Sequence, residues 1–148
     1  MRLLGQPHRS LLLALLFSGL AGLAIAADEG YQVIVSASSA VTEMPRAEVA
    51  RFFLRQSAKW AAGQGVLPVD QSARSAVRQS FSKGVLRQPL PAVEAYWQRQ
   101  IGAGQAPPPV KTSDAEVLAY VAANPGAIGY VSSGLELTPG VKLLRLKE

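Results

Sequence analysis

Asn124-Pro-Gly-Ala-Ile-Gly-Tyr-Val131 decides the fold, because a helix stop, a turn and a short apolar strand follow one another within eight residues. Asn124 and Gly126 tolerate a left-handed backbone, and Pro125 cannot continue a helical hydrogen-bond ladder, so the preceding helix ends here. Ala127, Ile128, Tyr130 and Val131 then predict a strand at the edge or in the core of a sheet. Gly129 within it leaves room for another backbone or a ligand to come close.

Just upstream, Ser113-Asp-Ala-Glu116 has the spacing of a capping box, and Val117, Leu118, Tyr120 and Val121 give the helix its apolar face. Downstream, Val141 to Leu146 predicts a final strand. Near the start, Tyr31 to Val35 alternates and is rich in β-branched residues, so it predicts a strand, with Ser36 to Ser39 as a polar loop at its end. Pro45 suits a first helical turn, and Val49, Phe52, Phe53 and Leu54 make the apolar stripe of that helix. Gly63 and Gly65 punctuate the return to a short strand, Val66 to Val69. Strand, helix and strand in this order predict a crossover that joins parallel strands and brings their loops to one rim. Two more helices follow, one with Val77, Phe81 and Val85 or Leu86 inside and Gly84 at its end, the other over Pro91 to Ile101 with Val93, Tyr96, Trp97 and Ile101 on one side. The Gly- and Pro-rich segment from Gly102 to Pro109 is expected to be the most flexible stretch.

Residues 1–26 predict a signal peptide: Arg2 and Arg9 flank an apolar run from Leu11 to Ile25, and Ala24-Ile25-Ala26 supplies small residues for cleavage. A membrane anchor is the alternative, but it needs about 20 apolar residues. Residues 27–148 then form one domain, too short for two lobes of ordinary size. Removing Arg2 and Arg9 leaves 13 basic and 10 acidic side chains, so the formal charge falls from +5 to +3. That mild excess suits anionic ligands, yet no basic cluster with interleaved aromatics points to nucleic acid. There is no Cys, hence neither a disulfide nor a lipid-bearing cysteine, and the single histidine, His8, falls in the signal segment.

The best candidate site is Gln71-Ser-Ala-Arg-Ser75. It joins a strand end to a helix N-terminus, where free backbone N–H groups and the helix dipole favour an anion. Ser72 and Ser75 add hydroxyls, and Arg74 adds a fork that can hold two oxygens. Against this, Ser72 or Ser75 can be an ordinary helix cap and Arg74 a solvated side chain. Ser36, Ser38 and Ser39 offer further hydroxyls if their loop faces the same rim, although serines after a strand commonly just form turns. Ser80-Phe-Ser-Lys83 matches the spacing of a lysine-activated serine, but its partner signatures are missing and the helix around Phe81 accounts for these residues. Without a histidine in residues 27–148 or a metal-ligand cluster, nothing in the sequence points to an enzyme or to a cofactor.

Asn124 to Val131, with Gln71 to Ser75, Phe53-Leu54, Lys59-Trp60 and Tyr96-Trp97, resembles the periplasmic phosphate-binding proteins of ABC uptake systems. The resemblance covers one lobe. It implies an α/β fold, a single periplasmic-binding-protein-like lobe with a mixed, mostly parallel sheet flanked by helices. It also implies a small anion such as phosphate as ligand, with an ABC permease or another periplasmic or membrane protein as partner. In the family's anion loop only Ser75 carries over: Gln71 stands where Arg is expected, Ala73 where Asp is expected, Arg74 for a Gly, and Ala76 and Val77 for Gly and Thr. The lost acidic acceptor is the group that separates protonated phosphate from sulfate. One lobe alone leaves an anion open to solvent unless a second copy or another protein closes the cleft. The alternative is a module that has kept the fold, lost the ligand and touches a receptor.

Overall fold

The computed structural model describes residues 28–148, so the predicted signal peptide, residues 1–26, lies outside the described residues. The described residues form eight strands and four helices: β1 (Tyr31–Ser36), β2 (Glu43–Pro45), α1 (Arg46–Phe53), β3 (Leu67–Pro68), β4 (Asp70–Gln71), α2 (Ala76–Gly84), α3 (Leu90–Gly102), β5 (Val110–Lys111), α4 (Asp114–Ala123), β6 (Ala127–Ser132), β7 (Val141–Leu143) and β8 (Arg145–Lys147). No helix among the described residues is long and apolar enough to cross a membrane.

The central sheet has the order β3-β6-β1-β7, and two small sheets pair β2 with β8 and β4 with β5. Three of the five strand pairings are parallel, and the two antiparallel ones are those of β1 with β6 and β7. The β-period sorts the central strands onto two faces. Tyr31, Val33, Val35, Ile128 and Tyr130 join one core with Val49, Phe52 and Phe53 of α1, Phe81 of α2 and Val93 and Trp97 of α3. Ile34, Ala127 and Val131 join the other, with Val117, Leu118 and Val121 of α4. Strands covered on both faces are apolar at almost every position, as β1 and β6 are.

The predicted crossover is corrected in one respect. β1 and β3 share a sheet, but β6 lies between them, and they run in opposite directions because β6 is antiparallel to β1 and parallel to β3. Hydrogen bonding explains why β3 is an edge strand. Leu67 and Val69 donate to Gly126 and Ile128 at 3.0 and 2.9 Å, so the missing N–H of Pro68 faces outward, where a sheet edge tolerates it. After Val69 the chain leaves β6, and Asp70 and Ser72 donate to the carbonyls of Pro109 and Lys111 at 2.8 and 3.0 Å. The predicted strand Val66 to Val69 thus stays with β6 and the chain passes to a second sheet directly after it, at Asp70, whereas the predicted last strand is split at Leu144, whose N–H goes to Val33 while that of Arg145 goes to Thr42.

The helix stop at Asn124 works without a left-handed residue. Asn124 is extended, with φ −126° and ψ 103°, as a following proline demands, and its amide donates to Tyr120 O at 2.7 Å. Gly126 and Gly129 are required by packing. A Cβ on Gly126 would meet Gly65 O at 2.6 Å, and one on Gly129 would meet Val117 and Val69 methyls at 2.8 and 2.9 Å. The room at Gly129 is therefore filled by side chains of this chain. Ile101, expected on the buried side of α3, is 51% exposed; at about 100° per residue it has turned roughly 80° from Val93 around the helix, past the buried stripe.

Candidate functional site

The corner between β4 and α2 is built by a turn that closes on itself. Ser75 N and Oγ both donate to Ser72 O at 2.9 Å, and Ser72 Oγ accepts from Arg74 N at 3.3 Å. Ser75 is the N-cap of α2, its hydroxyl accepting from Arg78 N at 3.3 Å. Backbone N–H groups of Ala76 and Val77, in the first turn, donate no hydrogen bond within the described chain, as helix geometry dictates.

Behind the turn lies a buried charged network. Asp70 and Arg78 form an ion pair, each with a side chain 8% exposed, and the Tyr130 hydroxyl donates to Asp70 Oδ1. Tyr130 OH in turn accepts from Gln71 N at 3.1 Å and lies 3.4 Å from Arg78 Nη1. Burial, followed by the Asp70 charge, pushes the Tyr130 hydroxyl far above its ordinary range, so it is a permanent donor. For Arg78, burial opposes the charged form, but Asp70 and then Tyr130 outweigh it and hold the guanidinium protonated. The Tyr130 ring is fixed by stacking on Phe81, with centroids 3.8 Å apart and planes within 5°.

Gln71 is 2% exposed. Its Nε2 donates to Asp114 Oδ1 at 2.7 Å and to Tyr130 O at 3.0 Å, so β4 is tied to the start of α4, where Asp114 also accepts from Ser132 N at 3.2 Å. The side chain occupying the expected arginine position is thus committed to holding the fold.

This corner opens on a cleft of about 350 Å³, lined on one side by Asp70, Gln71, Ala73 and Arg78 and on the other by α3 and the Pro107-Pro108 segment. Arg78 uses only Nη1 for its protein contacts. Arg74 is exposed in the turn and does not line the cleft.

The second serine loop is elsewhere. Ser36 ends β1 one residue after Val35, which pairs with Ile128 at the start of β6, whereas β3 and β4 lead past the end of β6. Ser36, Ser38 and Ser39 therefore lie at the opposite end of the sheet from Gln71, Ser72, Arg74 and Ser75, and the shared rim is corrected: antiparallel strands send their C-terminal loops to opposite ends. There, Ser36 Oγ and Ser38 Oγ are 2.9 Å apart, Ser39 Oγ accepts from Val41 N at 3.2 Å, and Lys142 donates to Ser39 O.

Sequence reasoning passed over Asp70 and Arg78. A signal was present, because Arg78 follows Val77 on the same face of α2 as Phe81 and is carried inward with it.

No known family profile matches the sequence, and no curated protein does. Among solved structures, a substrate-binding protein assigned to phosphate ABC transport from Clostridium perfringens, solved with bound phosphate, superposes with a TM-score of 0.63 at 12% identity over 81% of this chain and 47% of that one. An ABC-type phosphate transport receptor from Vibrio cholerae gives 0.59 at 19% identity over 79% and 46%, and PstS from Borrelia burgdorferi gives 0.63 at 15% over 80% and 47%. The chain spans less than half the length of each. Its fold is that of the phosphate ABC transporter substrate-binding proteins, in the form of a single lobe with a mixed sheet flanked by helices.

Proposed function

We propose that this chain is a secreted, periplasmic substrate-binding-like protein that receives a small oxyanion, phosphate among them, at the β4–α2 corner. The observation that carries this reading is a buried guanidinium with unused donors, that of Arg78 in the first turn of α2, on the wall of the cleft. The positive end of the α2 dipole favours an anion beside this first turn, and Arg74 adds positive charge from outside the cleft. Proteins of the same fold, one of them solved with phosphate, make the ligand class reasonable. Affinity is weak, because the cleft is open and solvent screens its charges. A permease, another periplasmic or membrane protein, or a second copy of the chain would close it.

A second reading has its own support. Gln71, Ser72 and Ser75 direct their polar atoms to the protein itself, as expected of a module that has kept the fold without the ligand and docks on a receptor. Calorimetry with phosphate, sulfate and small carboxylates separates the two. Millimolar or tighter binding, about −4 kcal/mol or better, that is weakened in Arg74→Ala sustains the anion site. No heat with any of these anions leaves the docking module.

A further inference from the structure

Resting on the anion reading, we infer that the ligand is a zwitterion: an oxyanion linked by a short apolar spacer to an ammonium group, with Glu94 of α3 as the carboxylate that receives the cation. The cleft itself argues for this. Its charged lining is two carboxylates, Asp70 and Glu94, against one guanidinium, Arg78. Asp70 and Arg78 neutralise one another, whereas Glu94 forms no ion pair with any described residue and is exposed. A bare dianion entering this space would meet an uncompensated negative charge.

Glu94 and Trp97 are three residues apart on α3, so their side chains are neighbours on one face. Trp97 is 7% exposed and lines the cleft, yet its indole N–H donates to no acceptor among the described residues. That N–H is not sealed off either, since among the buried side-chain polar atoms only Arg55 Nε lacks a partner. The Nε and Nη2 of Arg78 share this condition. Two side chains more than nine-tenths buried, both on the wall of this cleft, thus keep donors without a protein partner, which is what an oxyanion needs. An oxyanion held by Trp97 sits beside Glu94, and the two repel unless the ligand brings its own positive charge between them. Leu90, Pro108 and Val110 complete the wall with apolar surface suited to methylene groups. With Ala73 supplying no acidic group at the turn, Glu94 is the acceptor that this cleft offers from its other side.

Calorimetry with inorganic phosphate, ethyl phosphate and O-phosphoethanolamine tests the inference on the wild-type chain, on Glu94→Gln and on Trp97→Phe. Ethyl phosphate and O-phosphoethanolamine differ by the ammonium group. O-Phosphoethanolamine is expected to bind at least tenfold tighter than ethyl phosphate. Glu94→Gln brings the two within twofold without weakening ethyl phosphate, and Trp97→Phe weakens both several-fold at an unchanged ratio. Equal affinity of the two esters in the wild-type chain overturns the zwitterion while leaving the anion site standing. A preference that survives Glu94→Gln overturns the assigned role of Glu94. No heat with any of the three ligands overturns both the inference and the anion reading on which it rests.

Discussion

At one end of the central sheet, Ser36, Ser38 and Ser39 follow β1; at the other, Ser72 and Ser75 follow β4. Both loops are short, serine-rich and placed where a strand hands over to the next segment. The first satisfies its hydroxyls within itself. The second is backed by Asp70, Arg78, Gln71, Asp114 and Tyr130, and beside the local Asp70–Arg78 pair their hydrogen bonds include ones that join residues 43 to 60 positions apart in sequence. Composition does not distinguish these loops. The polar groups buried behind one of them do, because a buried charge has to be paired, and the residues that pair it fix where the remaining donors lie.

The largest effect that tests this contrast comes from removing one member of the buried pair. Asp70→Ala leaves the Arg78 guanidinium without its counter-charge in a site 8% exposed, and such a change costs about 3 to 5 kcal/mol, a large share of the roughly 5 to 15 kcal/mol of an ordinary domain. Urea unfolding should show the midpoint fall accordingly. A loss below about 1 kcal/mol, the range of exposed ion pairs, would mean that water reaches the pair and that the two ends are alike.

A smaller difference sharpens the same comparison. Ser75 caps α2, so Ser75→Ala should cost about 1 kcal/mol. Ser38→Ala removes only the exposed partner of the buried Ser36 hydroxyl, and Ser36 Oγ keeps the backbone N–H of residue 38 at 3.3 Å. Its cost should stay within about 0.5 kcal/mol, with anion binding unchanged. Equal losses in the two variants would show that the loops carry comparable weight.

Much of this arrangement was legible beforehand, and the gaps have a common origin. The buried faces of α1 and α4 and the apolar runs of β1 and β6 follow from local period alone, so Val49, Phe52, Val117 and Ile128 were placed correctly. The stop at Asn124 was legible too, although its backbone is extended, because the constraint comes from Pro125 and not from the asparagine's own freedom. Strand direction was not legible. Nothing in Tyr31 to Ser36 records that its neighbours will be β6 and β7, reached about a hundred residues later. With the direction wrong, Ser36 and Ser75 were set on one rim. Asp70 and Arg78 were passed over, and Gln71 was read as a candidate ligand residue, for a related reason: their partners, the hydroxyl of Tyr130 and the carboxylate of Asp114, are supplied by distant segments.

The smallest expected effect concerns the start of α4, which anchors Gln71 through Asp114. The capping box is present with a shift: Ser113 Oγ accepts from Glu116 N at 3.2 Å, but the Glu116 carboxylate reaches back to Thr112, accepting from its N–H at 2.7 Å and its hydroxyl at 2.9 Å. The Thr112 backbone N–H first, and then the Thr112 hydroxyl, hold the Glu116 carboxyl below the ordinary glutamate range. A depressed value means that the folded state favours the ionised form. Its contribution is present above the ordinary glutamate pKa and is lost as pH falls through the lower, folded value. An NMR titration should place the Glu116 midpoint below that of a free glutamate and, in Thr112→Ala, raise it only part of the way back, because the backbone donor survives the substitution. A full return would show that the hydroxyl alone was responsible. An unchanged midpoint would show that the backbone bond suffices, and that this edge of the cleft end is held by main chain alone, as much of the opposite end is.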